Sequence, residues 1–177
     1  MERICQIATD LRCLARDPGD TAEEVPPSAA IDEPLRLASV RLRKVAHLDL
    51  RLTPGLPALL CSRGRLLQVL VNLLANAADA VDGAGRTVRV TTSLDEDAIV
   101  FAVDDDGPGI PPVGEEIFAP FFTTREATGM GLGLALCRNF AERLGGSVEA
   151  GRSELGGARF ALGLPAARAG APASEAA

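Results

Sequence analysis

NLLANAADAV, residues 72–81, closes a run from Arg63 that is apolar nearly all round yet carries amides at a fixed interval. Gln68, Asn72 and Asn76 recur every four residues, with Asp79 three further on. Helical spacing sets such residues along one face, so residues 63–82 are predicted to form a helix with a polar stripe. A buried amide without a partner costs on the order of 1–3 kcal/mol, so protein groups or a ligand must engage the stripe. Asparagine oxygens suit a hard cation such as Mg2+, which keeps several waters and takes other ligands from substrate phosphates. An internal amide network would satisfy them equally well.

Downstream, Thr87 to Leu94 and Ala98 to Val103 read as two strands flanking Asp95-Glu96-Asp97, a hairpin that ends at Asp104-Asp105-Asp106 before Gly107-Pro108-Gly109 turns the chain. An ionised carboxylate only accepts, so in a partly closed pocket it would take the amino group of adenine and repel the carbonyl of guanine. A solvated acidic turn is the plain alternative. The connection from Pro111 to Thr128 holds Phe118, Phe121 and Phe122, then Thr123, Thr124 and Arg125. Its three rings argue against disorder and for a lid, from which Arg125 or a threonine could reach phosphate; packing in a satellite core is compatible with that. Thr128 to Gly133 then opens a helix marked by Leu132, Leu136, Phe140 and Leu144. Glycines there bare main-chain amides at a positive helix end, an anion site. The run lacks the lysine of G-x-x-x-x-G-K-[ST] and the spacing of G-x-G-x-x-G, so those two phosphate loops are excluded.

Upstream, Ile4, Ile7, Leu11 and Leu14 form a helical seam over residues 1–16, too short to stand alone and suited to the end of a longer helix or a dimer contact. Residues 17–30 read as a linker rich in proline, glycine and acids, and residues 31–46 as a helix. Leu48, Leu50 and Leu52 alternate with Asp49 and Arg51 as in a half-buried strand; a short strand, ALLCS, follows. Residues 147–150 and 158–164 suggest a last hairpin, and residues 166–177 a mobile tail.

With 177 residues, 47% hydrophobic and 24% charged, the chain suits one soluble α/β domain over residues 31–165 plus extra segments. A net charge of −6 and no Tyr or Trp argue against nucleic acid. No stretch nears the roughly 18 apolar residues of a membrane span, and no signal peptide is evident, so no membrane contact is expected of this segment. Cys5, Cys13, Cys61 and Cys137 form no C-x-x-C pair, which suggests reduced, mostly buried thiols.

Asn72 to Ala80, Asp105 to Gly109, Phe118 to Thr124 and Gly129 to Leu134 together resemble the four boxes of the GHKL ATPase superfamily. In spacing they are most similar to the catalytic domain of bacterial sensor histidine kinases, over residues 33–165. The resemblance implies a two-layer α/β sandwich of the Bergerat type, a mixed sheet with helices on one face. It implies ATP and Mg2+ as ligands: Asn72 and Asn76 on the metal, Asp105 on the adenine amino group, and Gly107, Gly109 and Ile110 around adenine. Thr123, Thr124, Gly129, Met130, Gly131, Leu132 and Gly133 would line the phosphates, with Arg125 assisting transfer. Gyrase-like and chaperone relatives carry a Glu where Asn72 stands, and an amide cannot serve as their general base. Transfer to a histidine on a stalk helix of the same or a partner chain is therefore expected, in a cytoplasmic homodimer, or the cytoplasmic part of a membrane-bound one, that signals to a response regulator. The end of that stalk resembles residues 1–16, which would put the acceptor upstream of Met1. His47, the only histidine, lies in a strand pattern and reads as a surface imidazole. Asp79 stands where many such kinases have a basic residue, and Ala158 where a Thr often assists adenine. A non-catalytic ATP-sensing module and an anti-sigma-type serine kinase are the alternatives.

Overall fold

A computed structural model describes residues 21–42, 47–81, 86–112, 114–123 and 131–167. Strand β1 (Glu23–Val25) leads into helix α1 (Pro27–Leu42), strands β2 (His47–Leu52) and β3 (Leu59–Cys61), and helix α2 (Arg63–Ala80). The hairpin β4 (Thr87–Asp95) and β5 (Ala98–Asp105) follows, then a 3-10 turn (Gly114–Phe118), helix α3 (Gly133–Arg143), and the hairpin β6 (Ser147–Arg152) and β7 (Ala158–Pro165).

Five strands form one sheet in the order β2-β4-β5-β7-β6, and β1 pairs with β3 in a separate ribbon. Only the β2–β4 pair of that sheet is parallel, because α2 lies between them in sequence and carries the chain back across the sheet. Ser62 caps α2, its Oγ accepting from Arg65 N at 3.4 Å. Leu66, Leu70, Leu73 and Leu74 of α2 are buried against Ile99, Phe101, Leu162 and Leu164 of the sheet. Helices α1 and α3 pack on either side of α2. The mixed sheet with its helical layer is the architecture expected.

Two local expectations differ. The segment read as a linker folds from Glu23 onward: Val25, 2% exposed, pairs with Leu59, and α1 begins at Pro27, four residues before the predicted start. A proline in the first helical position forfeits no hydrogen bond, so the Pro-rich composition that suggested a linker here starts a helix. In β2, Leu48 and Leu50 are 37% and 44% exposed although they share the helix-side face with Val88 and Val90. They lie on an edge strand that the described helices leave largely uncovered. The predicted 1–16 helix, residues 43–46 and the tail from residue 168 lie outside the described residues.

Candidate nucleotide-binding site

Asn72 and Asn76 sit one turn apart on α2, both half-buried, between core residues Leu73 and Ala77. Gln68 and Asp79 are engaged within the protein, and Asp79 is exposed. Asn72 differs: its Nδ2 is buried and has no hydrogen-bond partner among the described residues. A Cβ at Gly133, the first residue of α3, would lie 3.6 Å from Asn72 Cγ, so the start of α3 rests directly on that carboxamide. No side chain caps α3, whose N-cap is Leu132. The fold thus joins the amide stripe and the glycine-rich helix start, which sequence separates by 60 residues, into one polar corner able to hold an anion and its cation.

Asp105 ends β5 on the helix-side face and is 1% exposed. Its Oδ1 accepts from Gly107 N at 2.9 Å and Ala158 N at 3.1 Å. Burial pushes its carboxyl above the ordinary carboxylate range; those two backbone bonds oppose the shift, and the charges of Asp106 and Asp104 add to it. The hydrogen bonds from described residues fall on Oδ1, so Oδ2 is the oxygen left for a ligand donor.

Glycines make this corner possible. A Cβ on Gly107 would come within 2.8 Å of the Ala80 carbonyl at the end of α2, so its role is close packing between turn and helix. One on Gly157 would strike Asp105 Oδ1, Asp105 O and Gly107 N. Gly157 and the Ala158 amide hold this aspartate, a role that sequence reasoning gave to neither: Ala158 was noted only as standing where a Thr often assists adenine, and the Gly156-Gly157 pair before β7 was the available signal.

Among the other expected residues, Gly109 (φ +85°) and Ile110 are half-buried beside Asp105, and Thr123 is half-buried with a partner in the protein. Gly131 adopts φ +67° and accepts from Phe121 N at 2.9 Å, pinching the base of the predicted lid. Leu132 is 2% exposed, so only its backbone can face a ligand. The three rings separate: Phe118 is buried with the Arg138 guanidinium 5.7 Å from its centroid, Phe122 is half-buried, and Phe121 is 71% exposed. Thr124, Arg125, Gly129 and Met130 lie outside the described residues. His47 is exposed on β2, as expected of a surface imidazole.

A cavity of about 390 Å3 opens along the Pro108–Pro111 turn toward Ile117, Phe118 and Gly157. Its lining includes Gly109 and Ile110 but neither asparagine, so it reaches the glycine turn after β5 and not the amide stripe. Among the described residues no helix is long and apolar enough to cross a membrane.

Residues 61–168 match the family described as "Histidine kinase-, DNA gyrase B-, and HSP90-like ATPase". The chain is 36% identical over 170 residues to the C4-dicarboxylate transport sensor protein DctB of Pseudomonas aeruginosa, covering 92% of this chain and 27% of that protein. It is 35% identical over 167 residues to the sensor histidine kinase ZraS of Escherichia coli O157:H7, covering 93% and 36%. It therefore spans only about a third of these relatives' length. Among solved structures, full-length ShkA in complex with AMPPNP superposes with a TM-score of 0.79 at 28% identity, over 97% of this chain and 37% of that one. Histidine kinase ThkA, in complex with response regulator protein TrrA, gives 0.75 at 26% identity, over 94% and 48%. The matched residues span α2, Asp105 and α3, and the chain belongs to the histidine kinase-, DNA gyrase B- and HSP90-like ATPase family.

Proposed function

We propose that this chain is the ATP-binding catalytic domain of a sensor histidine kinase, which binds Mg-ATP and passes the γ-phosphoryl group to a histidine on a stalk helix. The observation that carries this reading is the orphaned carboxamide of Asn72 against the bare start of α3. The amide's oxygen and nitrogen are interchangeable by rotation, and an oxygen turned to the orphaned position suits a hard cation. Asn72 and Asn76 would hold Mg2+, which when bound neutralises phosphate charge. The first amides of α3 would take phosphate oxygens, and Asp105 Oδ2 the adenine amino group.

Asn72 also separates transfer from hydrolysis. With no general base at this position, water is not activated, and ATP is held for an external nucleophile. His47 is a poor candidate for that nucleophile, being exposed on an edge strand and not on a helix. The domain's contribution is then positioning and charge neutralisation, with Arg125 on the lid a candidate to assist. The AMPPNP complex of ShkA and the response regulator complex of ThkA support nucleotide and receiver domain as partners.

The test supplies Mg-ATP labelled in the γ position and a stalk-helix fragment bearing the acceptor histidine. Label is expected on that histidine, stable to base and lost in acid, and it should vanish with Asn76→Asp or Asp105→Ala. Steady release of inorganic phosphate without transfer, or label on serine of a partner, would reject the proposal.

A further inference from the structure

We propose that Arg159 and Asp104 act as a positioning pair that fixes the Asp105 carboxylate from the opposite face of the sheet. Neighbouring residues of a strand point to opposite faces, so Asp105 lies under the helices and Asp104 on the other side. Asp104 is nonetheless 2% exposed, and its Oδ2 receives Arg159 Nη1 at 2.7 Å. The two residues stand directly opposite each other and are the last register pair between β5 and β7.

Beyond that pair the strands stop exchanging ladder hydrogen bonds, and Asp105 takes over. Ala158 N bonds to the Asp105 side chain and Gly157 N to the Asp105 carbonyl, at 3.1 Å each. Three successive residues of one segment, Gly157, Ala158 and Arg159, therefore grip two successive residues of β5. The backbone bonds fix Oδ1, and with it the direction of Oδ2. The ion pair closes the ladder one residue before the functional carboxylate and keeps the Ala158 amide at bonding distance.

The pair also belongs to a row. Asp49, Arg89, Asp104 and Arg159 are successive register partners across β2, β4, β5 and β7. Arg89 bonds Asp49 at 2.8 Å and also lies 3.7 Å from Glu154. Among the described residues Arg159 is the cation paired with Asp104. Losing it would untie the end of the ladder and strand a buried charge, and both favour opening the end of β7. The Ala158 amide moves with that end, so the Asp105 carboxylate is freed to rotate and its preference for an amino group over a carbonyl falls. The consequence for adenine rests on the nucleotide reading above; the consequence for the Ala158 amide does not.

Two measurements on the nucleotide-free and nucleotide-bound domain keep the two apart. Hydrogen exchange followed by NMR on R159M, R159K and the double variant D104L/R159M is the first. Exchange of the Ala158 amide is expected to quicken at least roughly tenfold in R159M and in D104L/R159M, with Phe160 and Leu162 unchanged. R159K, which keeps a cation near Asp104, should stay close to wild type. The double variant strands no charge but still lacks the tie between β5 and β7, so it isolates that tie and reports even where R159M fails to fold. The second is the ratio of ATP to GTP affinity by calorimetry, expected to fall about tenfold in the same two variants and to be held by R159K. Unchanged Ala158 exchange in a folded D104L/R159M, or a loss in R159K as large as in R159M, overturns the positioning role. Quickened Ala158 exchange in the variants, with a wild-type domain that binds no adenine nucleotide, upholds the pair and rejects the nucleotide reading.

Discussion

In the proposed function the buried carboxylate of Asp105 takes the adenine amino group. Because burial raises its folded pKa above the unfolded value, the native state binds the proton more tightly, and this group's contribution to stability grows as pH falls through the folded pKa. Ligand binding runs the other way, since the protonated acid loses charge as an acceptor. Adenine nucleotide affinity is therefore expected to fall about tenfold per pH unit below that raised pKa, beginning above the range of a surface Asp. Asp105→Asn keeps an acceptor but nothing that titrates, so calorimetry across pH should show weaker binding without this extra acid limb. The cysteines make a second prediction at this level. Burial pushes the Cys137 thiol up to about 12 and, with the Glu23 charge, Cys61 up to about 11, so both remain thiols at neutral pH. Peptide mapping after mild alkylation of the native protein should find both unmodified. Asp105 and the buried thiols were legible because residue type and flanking glycines mark them locally. The Ala158 amide was not, since any residue but proline offers one.

Among the elements, α2 and α3 were readable almost to their ends, and for one reason. Helix signals are local: Ser62 at the start of α2 and the spacing of Leu132, Leu136 and Phe140 each act within a turn or two. Strand pairing is not local. Glu23 to Val25 becomes β1 only because β3 lies beside it, and Leu48 and Leu50 are exposed only because β2 is an edge. The approach of Phe121 and Phe122 to the start of α3 depends on one such close contact. Gly131 holds φ +67°, and a Cβ there would run into the Phe122 carbonyl. Gly131→Ala should destabilise the fold by about 1–2 kcal/mol in urea unfolding, from the left-handed backbone and the clash together. The same variant should weaken ATP by a larger factor than it weakens the fold, because the Phe121–Gly131 bond sets where α3 presents its first amides. Equal losses in both would mean that the lid base is structural only.

At the level of the whole molecule, the strand order β2-β4-β5-β7-β6 could not be read from spacing, and the mixed sheet was anticipated only through the four-box resemblance. What the order achieves is to bring the end of β5 to the start of β7 beside the end of α2, while the start of α3 rests on the middle of α2. The charge of the chain then sets a condition on that ligand. A protein of net charge −6 repels a polyphosphate, and the amides at the start of α3 supply only about half a positive charge. Neither the amide stripe of α2 nor the Gly129 to Leu134 run contains a Lys or Arg, so Mg2+ is expected to supply the rest of the compensation, aided by whatever Arg125 contributes. Chelating Mg2+ with EDTA should therefore weaken ATP by more than roughly tenfold, and raising monovalent salt toward 0.2 M should recover part of the loss by screening the repulsion. With Mg2+ present, salt should matter little. Asn76→Ala should shrink the difference between the Mg2+ and EDTA conditions while leaving the weak metal-free binding in place. Should calorimetry find ATP bound as tightly in EDTA as in Mg2+, the amide stripe of α2 is not a metal site, and the phosphates are held by backbone alone.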